Sequence, residues 1–145
     1  MFKKILLILC LFVYSFSQEF SEPKPTFENP RKVVYSLSSG DLETVSHTVG
    51  SMYNILKEYP AESLKIVVVA YGKGMRALKK DYDKTTLDRI KSLMEYDVEF
   101  IGCKNTMETM NWTEEDFIED IDFVQAGIVE VIERQVDGFI GITPY

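Results

Sequence analysis

The chain has 145 residues, with 16 Lys and Arg against 23 Asp and Glu, a formal net charge of −7 and 46% hydrophobic residues. That length suits one ordinary domain with a real core, and an acidic balance without a basic run argues against nucleic acid or an anionic membrane surface as partner. A single histidine and two cysteines, Cys10 and Cys103, leave little from which to build a metal site.

The N-terminus reads as an export signal. Met1-Phe2-Lys3-Lys4 is a short positive region, residues 5–16 are an almost unbroken apolar run, and Ser15-Phe16-Ser17 places small residues where a signal peptidase reads. The run is shorter than the roughly 20 residues that a spanning helix needs. Residues 1–17 are therefore expected to be a signal peptide that sends the chain to the periplasm, with an uncleaved anchor as the alternative. A lipidated Cys10 fits poorly, because it lies inside the run and bulky Leu9 precedes it. Cleavage would remove Lys3, Lys4 and Cys10, leaving a more acidic chain with one thiol and no remaining membrane segment. Residues 18–30 carry Pro23, Pro25 and Pro30 among polar residues and read as an extended linker. The domain is expected over 31–145.

From there the pattern alternates. Residues 32–37 (K-V-V-Y-S-L) read as a strand, and Ser38 to Asp41 as a turn supplying helix caps. Leu42, Val45, Val49, Met52 and Leu56 recur at helical spacing, predicting a helix over 41–58 that Pro60 ends. Residues 64–70 (L-K-I-V-V-V-A) form a short β-branched run, as in a strand buried on both faces of a parallel sheet. A glycine loop, Tyr71-Gly72-Lys73-Gly74, follows it. Short helices are predicted over 75–80 and 85–96, the second with Leu87, Ile90, Leu93 and Met94 inward. Residues 98–102 (V-E-F-I-G) are the third strand. Thr113 to Asp116 resembles a capping box opening a short helix to about 119. A strand over 121–124 is the weakest element. A helix over 127–136 with Ile128, Val131 and Ile132 on one face, then a strand over 139–143, complete the chain. Strands alternating with helices imply βαβ units, hence a flavodoxin-like three-layer α/β/α fold with a mostly parallel five-stranded sheet.

In such sheets ligands sit outside the carboxyl ends of the strands. The loops at Gly40, Gly72 to Gly74 and Cys103 all fall on that edge. An unpaired thiol in an exported chain suggests intermolecular pairing or reactivity; the plain alternative is a buried thiol acting as a small hydrophobe. Backbone donors at a helix start favour a thiolate, and Lys104 and Lys73 are expected to add positive charge. Gly72-Lys73-Gly74 lacks the spacing of a Walker loop or of G-x-G-x-x-G, so it reads as a tight turn rather than a phosphate site. His47 lies beside the first helix's apolar stripe and would reach Cys103 only if that helix packed by the third strand. Asp81, Asp83, Asp116, Asp120 and Asp122 read as a solvated acidic surface, and Trp112 as a pocket cap or a core residue. No metal site, no cofactor motif, no Ser-His-Asp triad and no glycosidase carboxylate pair is expected.

Three segments carry a family resemblance: G-C-K-N-T-M (102–107) after the V-E-F-I strand, V-A-Y-G-K-G-M (69–75), and G-I-V-E-V-I-E-R-Q-V-D-G-F-I (127–140) before a terminal strand and Pro144. Together they resemble the DsrE/DsrF-like family of small sulfur-relay proteins. The resemblance implies flavodoxin-like subunits assembling into homo-oligomers, as trimers or hexamers, with sulfur carried as a persulfide on Cys103. It further implies donor and acceptor proteins for that sulfur, and roles for Asn105 and Thr106 in shaping the loop. The family's well-characterised relays are cytoplasmic, whereas this chain carries an export pattern. The expected function is a periplasmic sulfur carrier or sulfurtransferase-like protein. The alternative is a non-enzymatic oligomeric module of the same fold that binds a small ligand or is structural. A redox role through mixed disulfides is a third reading, opposed by the lack of a second cysteine.

Overall fold

The computed structural model describes residues 18–144. The signal-peptide and Cys10 readings lie outside the described residues. Two β-branched runs make the centre of the sheet: β1 (Arg31–Leu37) and β2 (Leu64–Ala70), paired in parallel along their full length from Arg31 opposite Leu64 to Leu37 opposite Ala70. Stiff branched side chains suit a pleat packed on both sides. β3 (Glu99–Cys103) adds beside β2, and β4 (Asp122–Val124) beside β3. β5 (Ile140–Ile142) returns to the far side of β1. The order is β4-β3-β2-β1-β5, all parallel.

The connections fix the layers. α1 (Leu42–Glu58), α2 (Lys84–Glu95) and α3 (Lys104–Met110) carry the chain step by step from β1 to β4. α4 (Gly127–Val136) carries it back across the sheet to β5. Right-handed crossovers running in opposite directions lie on opposite faces. The cores agree with this. Val33, Tyr35, Leu37, Ile66 and Val68 pack with Val45, Met52, Ile90 and Met107 from α1, α2 and α3. Val34, Val67, Val69 and Ile101 pack with Val131 and Phe139 on the α4 side. Each fully buried aliphatic side chain contributes roughly 1.5–3 kcal/mol, so the first face, with many more of them, holds most of the stability.

Several local expectations are revised. The glycine loop is the start of a 3-10 helix, Gly72–Leu78, rather than a turn before a helix at 75. After Thr113 only a 3-10 turn forms, Glu114–Asp116, because Phe117 and Ile118 turn inward in extended conformation and bridge back to Lys79. Leu42 opens α1 but is exposed. In α4, Val131 is buried, but Ile128 and Ile132 point away from the sheet, each 52% exposed. Their neighbours Gly127 and Val131 take the inward positions instead. The linker has no helix or strand, yet it lies against the domain. Pro25 is buried, Phe20 packs on Tyr59 with ring centres 4.7 Å apart, and Arg31 donates to the Ser21 carbonyl at 2.6 Å. No helix of the described residues is long and apolar enough to cross a membrane.

Candidate functional site

Cys103 ends β3 and is the N-cap residue of α3. It therefore stands at the carboxyl edge of the sheet, where the chain leaves the strand. The residue is 5% exposed. Its amide donates to the Met75 sulfur at 3.2 Å. Gly102, before it, lets the Phe123 ring and Met75 close over the strand: a Cβ there would lie 2.8 Å from Phe123.

The β4–α4 connection brings the second half of the site. The Gly127 amide donates to Cys103 Sγ at 3.3 Å. Glycine eases this approach: a Cβ at 127 would sit 3.0 Å from Tyr71 Cβ and 3.2 Å from Cys103 Cβ, close enough to force a shift of a few tenths of an ångström. The Gln125 carbonyl lies 3.8 Å from the sulfur and accepts from the S–H of the neutral thiol. One side of the sulfur thus suits the thiol and the other the thiolate.

Burial pushes the Cys103 pKa up, but hydrogen bonds outweigh it: from the Gly127 amide, from the Thr106 hydroxyl and amide, and from the Asn105 amide. The net effect is a pKa below the ordinary 9.0. The Gly127 bond is the well-formed one. The α3 amides act at longer range, since Cys103 makes no formed cap bond, and the Asn105 amide is shared with the Gln125 carbonyl at 3.0 Å. The positive charge expected from lysines does not carry this lowering. Lys104 Nζ reaches Glu114 at 3.4 Å instead, and Lys73 is exposed on the 3-10 helix.

Gly72 and Thr106 are brought together. The Gly72 amide donates to Thr106 Oγ1 at 2.9 Å, which ties the loop after β2 to α3. Gly72 has φ +53, a conformation that favours glycine. Gly74 serves packing: a Cβ there would be 1.9 Å from the Leu37 carbonyl oxygen. Asn105 Oδ1 accepts from Gln125 Nε2 at 2.6 Å, and Glu108 accepts from the same group at 3.2 Å, closing the β4–α4 connection onto α3. Gln125 and Gly127 are site residues that the sequence reading did not assign.

The remaining candidates fall elsewhere. His47 is exposed on α1, which packs beside α2. Asp83 caps α2, Asp116 accepts from the Thr113 amide at 2.8 Å, and Asp81 pairs with Lys79 at 3.6 Å. Trp112 packs edge-on against Phe117 at 5.9 Å and lies under Lys79. It also lines a cleft of about 380 Å³ with Gly40, Arg76, Tyr82 and Met110. Among the described residues, no group of three or more His, Cys, Asp or Glu is placed to hold a metal ion.

Comparison with known proteins bears on the family of the chain. The sequence pattern of the DsrE/DsrF-like family matches residues 38–144. A solved structure, that of the protein of unknown function MTH1491 from Methanobacterium thermoautotrophicum, is similar with a TM-score of 0.73 and 27% identity. The match covers 79% of this chain and 99% of that one. No curated protein matches.

Proposed function

The chain belongs to the DsrE/DsrF-like family, and on that premise we propose that it is a sulfur carrier, sulfurtransferase-like, which holds sulfane sulfur as a persulfide on Cys103. One observation carries this reading: the Cys103 sulfur, at the carboxyl edge of the sheet, receives the Gly127 amide at 3.3 Å and has its pKa lowered by hydrogen bonds. The thiolate is the form that attacks sulfur.

The step balances without an oxidant. The Cys103 thiolate attacks the outer sulfur of thiosulfate, the S–S bond of thiosulfate breaks, and sulfite leaves with the electron pair. The product is the Cys103 persulfide. A partner thiolate then attacks the outer sulfur of that persulfide, takes it, and returns the Cys103 thiolate. Hydrogen bonds from Gly127, Thr106 and Asn105 favour the ionised sulfur at the start and end of the cycle. The export pattern of residues 1–17 supports a periplasmic setting for this chemistry, with donor and acceptor proteins there.

The test is the intact mass of the protein before and after incubation with thiosulfate or polysulfide. A gain of about 32 Da per sulfur atom, reversed by reductant and absent in Cys103→Ser, is expected. Loading of the serine variant sinks the proposal.

The burial of the thiol favours a second reading, a non-enzymatic module that binds a small ligand in the cleft lined by Arg76 and Trp112. It requires slow alkylation of native Cys103 and no mass gain.

A further inference from the structure

Cys103 is 5% exposed, yet the residues that cover its sulfur are not themselves buried. In the core it shares a cluster with Met75 and Met107. Toward solvent its sulfur lies between two segments. The first turn of α3 supplies the Asn105 and Thr106 donors, and the β4–α4 connection supplies the Gln125 carbonyl at 3.8 Å and the Gly127 amide at 3.3 Å. Asn105 and Gln125 are exposed and Thr106 is half-buried, so the cover is a single layer of chain.

Three hydrogen bonds join the two segments, and Gln125 takes part in all of them. Its carbonyl accepts from the Asn105 amide at 3.0 Å. Its side-chain amide donates to Asn105 Oδ1 at 2.6 Å and to Glu108 at 3.2 Å. The attack in the sulfur-carrier reaction needs the outer sulfur of the donor in contact with Sγ, and the closed cover does not admit it.

We propose that Gln125 is a positioning residue that gates the thiol: its side-chain amide closes the β4–α4 connection over Cys103, and the sulfur donor reaches Sγ when that clamp parts. This gate belongs to the sulfur-carrier reading and rests on it for the identity of the donor. The clamp is built to open. Hydrogen bonds at an exposed surface exchange with water at small net cost. β4 is a three-residue strand at the edge of the sheet with no buried residue. Segments so lightly packed open locally without unfolding the domain. The cover also gives the burial of Cys103 a use. Thiolate character and exposure together set how fast a cysteine oxidises. The same surroundings that favour the thiolate therefore shield it between turnovers.

Alkylation by iodoacetamide across a pH series separates access from ionisation, since the rate on the alkaline plateau reads access and the midpoint reads the pKa. The wild-type plateau is expected well below that of the same thiol in denaturant. Gln125→Met keeps the backbone carbonyl and the length of the side chain but removes the donor. It should raise the plateau roughly two- to tenfold and leave the midpoint in place. Asn105→Ala removes an acceptor of the same clamp, so the double variant should open no further than Gln125→Met. Asp83→Asn, which weakens a cap at α2, should leave the plateau alone, so a rise is not a loss of overall stability. A wild-type plateau equal to that of the denatured thiol would overturn the proposal. So would an unmoved plateau in Gln125→Met, or a double variant whose rise is the product of the two single ones. If circular dichroism shows that Gln125→Met does not fold, Glu108→Ala, at an exposed position of α3, decides by a smaller rise of the plateau. Mass gain from thiosulfate keeps the two readings apart: faster alkylation with no sulfur loaded in any variant upholds the gate and removes the sulfur carrier.

Discussion

Helices α1 and α2 begin on aspartates, whereas α3 and α4 meet around a sulfur. The Asp41 carboxylate accepts from the Thr44 amide at 3.0 Å, and the Asp83 carboxylate from the Thr86 amide at 2.8 Å. The N-cap residues of α3 and α4 are Cys103 and Ala126, and neither makes a side-chain cap bond. First-turn amides have no partner within their own helix and need one from outside. At α4 the first amide turns to the Cys103 sulfur. The physical demand is the same in all four helices, but the partner differs. With its pKa below 3.8, a capping carboxylate stays ionised at neutral pH and serves as a fixed cap there. A thiol ionises on demand, so the same amides become a device that tunes reactivity.

The largest expected effect comes from the residue that makes this possible. In Gly127→Ala the new methyl meets Tyr71 Cβ and Cys103 Cβ, both fixed to backbone. Neither can swing aside, so the start of α4 must move, at a cost of about 1–3 kcal/mol in stability. That shift lengthens the 3.3 Å bond from the amide to the sulfur. Losing a donor to the charged form raises the Cys103 pKa. Alkylation by iodoacetamide across a pH series should show its midpoint displaced to higher pH. An unmoved midpoint breaks the comparison, because the α4 amide would then be irrelevant to the thiol.

Thr106→Val sharpens it with a smaller effect. One hydroxyl both favours the Cys103 thiolate and accepts from the Gly72 amide. Its loss should cost about 0.5–1.5 kcal/mol and raise the alkylation midpoint by less than Gly127→Ala does. The sign also appears in stability. Cys103 has a lower pKa folded than unfolded, so its ionisation contributes stability that is full above the ordinary 9.0 and fades as pH falls through the folded value. Both variants should flatten that alkaline limb. A midpoint that falls in Thr106→Val would show that the hydroxyl favours the neutral thiol.

Much of the fold was legible because its signals are local. The L-K-I-V-V-V-A run, the Val45–Val49–Met52 stripe and the Asp41 turn each declare an element from a few adjacent residues. Even the weak strand over 121–124 forms, as three residues beside β3. α3 was read only as a turn or helix start, since Met107 is its one buried residue and seven residues give no periodicity. Cys103 and the ring of residues 104–106 could be named from a motif. Gly127 and Gln125 could not, because they reach the sulfur across more than twenty residues of chain. The one signal was an apolar helix opening on Ala126-Gly127, with no capping side chain at its N-cap. The lysines misled for a related reason: a sequence shows that Lys104 is adjacent to Cys103, but not that its ammonium group turns to Glu114.

The smallest effect tests the other side of the comparison. The Thr86 amide and hydroxyl hold the Asp83 carboxyl below its ordinary 3.8. A carboxyl with a depressed folded pKa contributes stability above its unfolded value, and that contribution is lost as pH falls through the folded one. Asp83→Asn keeps an acceptor oxygen for Thr86 but cannot be ionised. At neutral pH it should therefore melt slightly below wild type, and as pH falls from 3.8 through the lower folded value the gap should narrow, because the wild-type cap is protonated by the end of that fall. Cys103→Ser should leave this acid limb alone and alter only the alkaline one. If Asp83→Asn instead changes the alkaline limb, or Cys103→Ser the acid one, carboxylate and sulfur are not separate answers to the same uncapped amides. The tuning of Cys103 would then need a source outside the two helix starts that surround it.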